Sequence, residues 1–208
     1  MLNNSSARPV SAEPLPASGA PRAIAPAFVA RILSPYQPTR TDYLRSASVA
    51  GLPDGKVSPE RDGEPIVITQ GRYCIPGSCY IQSTGHFNAV EFLICYNQLA
   101  YVTFGHLIAE RQLDRLPRGR VSASCRAALE ALSIETFFAN QLSSMFILKT
   151  ETRFKRVIDP SDFKGELFVR SVFYRHGMLF TDTECRFTDS SGGEAEGNVL
   201  LAYPLRTC

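Results

Sequence analysis

Asn88-Ala-Val-Glu-Phe-Leu-Ile-Cys-Tyr-Asn-Gln-Leu-Ala-Tyr-Val-Thr-Phe-Gly-His-Leu-Ile108 is the stretch that decides the fold. Its apolar residues Ala89, Val90, Phe92, Leu93, Cys95, Tyr96, Leu99, Ala100, Val102 and Phe104 cover most of a helical circumference. A helix apolar nearly all round does not lie on a surface; other elements wrap it. As a single helix the stretch is about 30 Å long. Asn88 is a good N-cap, and Glu91 three residues later completes an Asn-x-x-Glu capping box.

Downstream of this helix, residues 110–126 carry Arg111, Arg115, Arg118, Arg120 and Arg126 against Glu110 and Asp114. This is a polar, basic excursion, and it defines an insertion at about 110–130. Ser133 then caps a short helix bearing Phe137, Phe138 and Leu142. The last third reads as strand: Ser144–Val157, Phe163–Tyr174, Met178–Thr188 and Ala195–Tyr203, rich in Val, Phe, Leu, Tyr and Thr. The breaks hold Asp159-Pro160, His176-Gly177 and Asp189-Ser-Ser-Gly-Gly193, short turns of the kind that join antiparallel neighbours.

Upstream, Pro26–Leu33 predicts a short helix with Pro in its first turn, stopped by Ser34-Pro35-Tyr36. Residues 50–65 are polar and turn-rich, an exposed loop. Ile66–Thr69 and Cys79–Gln82 read as strands. Residues 1–25, mostly Ala, Pro and Ser, read as a disordered tail, leaving 26–208 as a single domain. One buried helix plus a run of long antiparallel strands is an α+β arrangement, and a sheet curved around the helix satisfies both. Exposed sheet edges then favour a homodimer or higher homo-oligomer.

Composition narrows the function. The net charge of +2 excludes a strongly basic nucleic-acid binder. There are three histidines and six cysteines, with no CxxC, HxxxH or HExxH spacing, so no metal site and no cofactor is expected. The N-terminal segment lacks the basic and apolar regions of a signal peptide. No apolar run is read as a membrane span of about 20 residues. A cytoplasmic protein with reduced thiols is expected.

Two segments carry a resemblance. One is Ser83-Thr-Gly-His-Phe-Asn-Ala-Val-Glu91 with Cys95-Tyr-Asn-Gln-Leu-Ala-Tyr101; the other is Asn140-Gln-Leu-Ser-Ser-Met145 with Lys149 and Arg153-Phe154. Over about residues 26–204 the chain resembles the FcoT-like thioesterases, hot-dog proteins in which an antiparallel sheet wraps a long central helix. That family includes long-chain acyl thioesterases. It also includes thioesterase-type enzymes that add glycine to a 2-enoyl thioester, in isonitrile lipopeptide and β-amino-acid macrolactam pathways. Gly85-His86-Phe87 is also similar to the start of the motif in hot-dog hydroxyacyl-carrier-protein dehydratases, without its Pro-rich continuation. The resemblance implies addition of glycine to an enoyl group carried by acyl carrier protein, followed by thioester hydrolysis to a 3-(carboxymethylamino) fatty acid. Simple hydrolysis of medium- or long-chain acyl-CoA or acyl-carrier thioesters is the alternative, and a non-catalytic acyl-carrier binding module a third.

Each candidate residue has a functional reading beside a structural one. Free N–H groups and the dipole at the helix start, Gly85–Asn88, suit a thioester carbonyl; an ordinary capped helix explains them too. His86, the histidine adjacent to that start, is a candidate base or a structural turn residue. Glu91 is a candidate base or half of the capping box. Asn97 and Gln98 are amides on an apolar helix that must find partners in substrate or protein. The family match favours Asn97, with Tyr36, Tyr80 and Asn88, as site residues; a phenol can donate to an enolate. Lys149 and Arg153 could clamp the glycine carboxylate or form a solvated charged edge. The Arg-rich segment could steer an acidic acyl carrier protein. There is no Gly-x-Ser-x-Gly nucleophile elbow.

Overall fold

The computed structural model describes residues 21–50, 65–81, 85–110 and 121–205. The central helix α2 runs Ala89–Ala109. The Asn88 side chain accepts hydrogen bonds from the Val90 and Glu91 N–H groups, while Glu91 accepts from the Asn88 N–H. The reciprocal capping box is therefore formed. Phe92, Cys95, Tyr96, Leu99 and Val102 are fully enclosed, each apolar side chain worth about 1.5–3 kcal/mol of burial. By length and composition α2 would pass for a membrane span, against the sequence expectation, but 72% of its most apolar stretch is buried inside the fold.

Seven strands form one antiparallel sheet around this helix: β1 (Arg22–Ala23), β2 (Leu44–Ala50), β3 (Val67–Tyr73), β4 (Phe146–Arg156), β5 (Phe163–Arg175), β6 (Met178–Asp189) and β7 (Glu194–Pro204). Their order is β1-β2-β3-β5-β6-β7-β4. Strands β3, β5, β6 and β7 alternate buried and open positions, so one face lies on α2 and the other on solvent. At Gly197 on β7 a Cβ would sit 2.8 Å from the Phe92 ring, so the side-chain-free position is what lets α2 approach the sheet. Three further helices complete the fold: α1 (Pro26–Leu33), α3 (Ala123–Glu130) and α4 (Ile134–Ser144). Gln141 on α4 donates to the Ile32 carbonyl at 2.9 Å, tying α4 to α1.

The α+β, sheet-around-helix expectation holds, with local differences. The run Cys79–Gln82 is not a strand: Cys79–Ile81 bends outward, Tyr80 and Ile81 stay exposed, and Gln82 lies outside the described residues. The expected tail reaches into the domain. Arg22 and Ala23 pair with Val49 and Ser48, and Ile24 is buried. Strand β2 was not anticipated, and part of the basic insertion is helix α3, held by buried Cys125 and Leu129. The tail to residue 20, most of the 50–65 loop, and Arg111, Arg115, Arg118 and Arg120 lie outside the described residues.

Strand β4 is the edge beside β7, and its other edge has no pairing among the described residues. Both of its faces are open, and Phe146, Leu148 and Phe154 are exposed along it.

Candidate active site

Three groups of candidate residues emerge, held by different elements. The first surrounds the start of α2. Gly85 takes a left-handed φ of +75°, which a side chain would strain, and turns the chain toward the helix. Phe87 anchors that turn. It is buried among Phe92, Phe163 and Phe187, with ring centroids 6.1, 4.9 and 5.2 Å away, and its N–H donates to the Ile158 carbonyl. His86 is thereby left on the exposed side beside the cap. Tyr80 donates its hydroxyl to Asn88 Oδ1 at 3.3 Å. Asn88 Oδ1 thus serves the helix and Tyr80 together. Its Nδ2 is buried with no partner among the described residues, a donor facing no acceptor. Glu91 is 3% exposed, and its carboxylate faces the cap.

The second group lies halfway along α2. Asn97 and Gln98 are adjacent in sequence but 100° apart around the helix. Gln98 is fully buried and fully used: Oε1 accepts from the Leu44 N–H at 2.9 Å and Nε2 donates to the Thr41 carbonyl. It is a structural tie. Asn97 is half-buried and makes no side-chain hydrogen bond among the described residues. It sits on the more open face of α2, with Val90, Leu93, Ile94 and Phe104. One turn on is Tyr101, whose ring lies 6.4 Å from that of Tyr36. Tyr36 belongs to a 3-10 helix over Ser34–Thr39, and burial pushes its phenol well above the ordinary tyrosine range, followed by the influence of Tyr101. Burial thus favours the protonated phenol, an O–H donor.

The third group does not reach the helix. Across β4, Thr152 pairs with Gly197, which faces α2, so Lys149, Glu151 and Arg153 lie on the opposite, convex face. Lys149 is paired with Glu151 at 2.7 Å and open to solvent. Within one chain neither Lys149 nor Arg153 meets the helix start.

The open face of α2 leads into an apolar cavity at its C-terminal end. Phe104, Leu107 and Ile108 form one wall, Leu132 and Met145 another, and Val169 and Leu179 of the sheet lie behind them. The cavity is narrow, about 50 Å³, and continues into open solvent. Two tyrosines outside the cavity lining carry no mark in the sequence. Tyr101 could have been found four residues from Asn97 on the same face. Tyr43 had no local signal; it is buried, and its hydroxyl donates to the Gly77 carbonyl at 3.3 Å.

Buried Cys95 and Cys185 have thiols pushed well up by desolvation, so neither supplies a thiolate. No group of three or more His, Cys, Asp or Glu suited to a metal occurs among the described residues.

A sheet wrapped around a capped helix, with polar groups along a helix face that opens into an apolar cavity, is the form of a hot-dog protein that handles acyl groups. The chain belongs to the FcoT-like thioesterase family, whose domain profile matches residues 31–203. Similar proteins that carry the name (2E)-enoyl-[ACP] glycyltransferase include the following three. That of Mycobacterium marinum is 36% identical over 183 residues, 86% of each chain. That of Mycobacterium tuberculosis is 33% identical, again covering 86% of each. That of Streptomyces coeruleorubidus is 33% identical, covering 85% of this chain and 95% of its own.

Proposed function

We propose that this enzyme adds glycine to the β-carbon of a 2-enoyl thioester carried by acyl carrier protein and then hydrolyses the thioester. The observation that carries the reading is Asn97: an amide without a hydrogen-bond partner among the described residues, on the more open face of α2, which Phe104 carries on to an apolar cavity. A polar station followed by a greasy channel matches a thioester carbonyl followed by its alkyl tail. Similarity over most of the chain to enoyl-ACP glycyltransferases supplies the reaction.

The chemistry balances without a cofactor. The glycine nitrogen attacks the β-carbon, forming the C–N bond. The C=C electron pair moves toward the carbonyl and gives an enolate. A donor amide or phenol holds the oxygen, which is the role we give Asn97 and Tyr36. The ammonium proton leaves through a base, His86 or Glu91, and a proton is returned to the α-carbon. Water then attacks the carbonyl carbon, the C–S bond breaks, and the carrier thiolate takes a proton. The capping box already takes the Val90 and Glu91 N–H groups, which leaves Asn88 Nδ2 and the positive end of the α2 dipole to suit the glycine carboxylate.

Asn88 and Asn97 are nine residues apart, about 13 Å along α2. A bound glycine cannot span that distance within one chain. We therefore propose that two copies pair along the open edge of β4, so that the helix start of one serves Asn97 of the other. The exposed apolar residues Phe146, Leu148 and Phe154 support that pairing.

The test is mass spectrometry of an enoyl-ACP incubated with and without glycine. A free acid heavier by glycine is expected. Release of the unmodified acid at the same rate without glycine would make the enzyme a plain thioesterase, and no turnover would leave only a binding module. His86→Ala and Asn97→Ala are each expected to lower adduct formation at least tenfold; an unchanged rate in either removes that residue from the reaction.

A further inference from the structure

We infer that the cavity at the C-terminal end of α2 measures the alkyl tail, so that the preferred substrates are medium-chain enoyl thioesters of roughly eight to fourteen carbons. The inference rests on the acyl-thioester reading above and adds to it a substrate class and the residues that set it.

The argument begins with two neighbouring amides. Gln98 spends both ends of its side chain on backbone groups of the 41–44 segment. Asn97 spends neither among the described residues, although it is partly buried. The polar end of a ligand is therefore fixed near Asn97, beside the Tyr36–Tyr101 pair. From there the same face continues through Phe104, seven residues on, to Ile108, eleven residues on, and both line the cavity. Those intervals are about 10 and 16 Å along the helix axis. An extended chain advances about 3.5 Å for every three bonds, so these distances correspond to about eight to fourteen bonds. A carbonyl held at Asn88 instead would need about twenty bonds merely to reach Phe104.

The cavity also has an end. The α3–α4 segment supplies Leu129, Leu132 and Phe137, the sheet supplies Val172 and Leu179, and Thr181 contributes the one hydroxyl-bearing side chain besides Tyr203. The α3–α4 wall is fastened to α1 twice. Gln141 bonds the Ile32 carbonyl at 2.9 Å, and the Arg31 guanidinium stacks 3.8 Å from the Phe138 ring centre. A tail that outgrows the cavity has to displace this fastened wall. Each methylene inside gains about fourfold in binding, and each one beyond gains nothing.

The experiment uses the whole protein and two readouts over one chain series. Saturated fatty acids of roughly six to eighteen carbons are titrated calorimetrically, and enoyl-ACPs of the same lengths are assayed for kcat/KM of glycine addition. Wild type is expected to tighten by about fourfold per methylene up to the medium-chain range and then level or fall. Val172→Phe, which fills the cavity, is expected to lower the twelve-carbon values at least tenfold while leaving the six-carbon values within threefold. Leu132→Ala, at the edge of the α3–α4 wall, is expected to move the optimum up by two carbons or more. A flat length profile in the wild type overturns the inference without any variant. So does the wild-type profile in a folded Leu132→Ala protein. If fatty-acid binding follows the expected pattern but no enoyl substrate gains glycine, the ruler stands and the reaction assignment falls. If glycine is added equally at every length, the reaction stands and the ruler falls.

Discussion

Replacing Gln98 by Leu isolates the strongest long-range polar tie in the fold. Leu is similar in size, so the packing around the fully buried side chain is largely kept. What is lost is the acceptor for the Leu44 N–H and the donor to the Thr41 carbonyl, both buried. The orphaned buried Leu44 N–H costs about 1–3 kcal/mol, and the Thr41 carbonyl, which keeps the Tyr43 N–H, loses its second donor for about 0.5–1 kcal/mol. Added apolar burial returns part of this, leaving a net loss of about 1.5–3 kcal/mol. In a domain of this size each kcal/mol moves Tm by about 2–4 °C, so a fall of about 3–12 °C is expected. Thermal unfolding followed by circular dichroism at fixed protein concentration reads this directly, the fixed concentration holding any self-association constant. Gln98→Glu keeps the acceptor for Leu44 but turns a carboxylate toward the Thr41 carbonyl, and is expected to fall further. A Gln98→Leu protein melting within about 2 °C of wild type would refute the claim that the Leu44 N–H depends on the amide.

Further outcomes follow from other sites. Asp189 accepts from the Asp159, Ser191 and Gly193 N–H groups, and the Asp159 bond above all pulls its carboxyl down to about 2. Because the folded value is depressed, the stabilisation is present above the unfolded value of about 3.9 and is lost as pH falls toward 2. Asp189→Ala should therefore cost about 1 kcal/mol at neutral pH, the worth of a capping side chain, and the gap from wild type should close in acid melts. Gly197→Val pushes side-chain atoms toward Phe92 and the Glu151 carbonyl, 2.8 and 3.0 Å from a Cβ, and should destabilise by about 1–3 kcal/mol in urea unfolding. Iodoacetamide near pH 8, read by peptide mass, should label exposed Cys79 well before buried Cys95 and Cys185 in the folded protein. An equimolar mixture of inactive His86→Ala and Asn97→Ala proteins, exchanged through unfolding and refolding, should recover about a quarter of wild-type activity if a two-fold dimer shares its sites. Recovery of none would return both residues to sites within one chain.

The parts of the fold legible in the sequence are those set by local rules. The capping box needs only residues three apart, and α2 starts where Asn88 and Glu91 put it. The hairpins of β5, β6 and β7 follow from alternation and from the glycines between them. Strand β2 stayed hidden because Leu44-Arg-Ser-Ala-Ser-Val-Ala50 holds few large apolar residues; it is a strand because β3 pairs with it. Cys79–Ile81 had strand-like residues and no strand to pair with, so it bends.

The site was legible as residue types and illegible as geometry. Asn97 and Gln98 carry the same functional group on consecutive positions. What separates them is the arrival of Thr41 and Leu44 at one of them, more than fifty residues away in sequence. The face taken by Lys149 and Arg153 depends on a bulge between Ile147 and Lys149, one inserted residue that no propensity marks. That bulge has a functional consequence. It turns both cations to the convex side, so within a single chain, under the proposed reading, the described donor left for the glycine carboxylate at the start of α2 is the uncharged Asn88 Nδ2. Neutral donors fixed by backbone geometry bind an anion without introducing a charge that would depress the pKa of the incoming ammonium's base. An enzyme that must take a proton from glycine while holding its carboxylate gains from that separation, because with His86 as the proposed base a lysine beside it would oppose the imidazolium that forms.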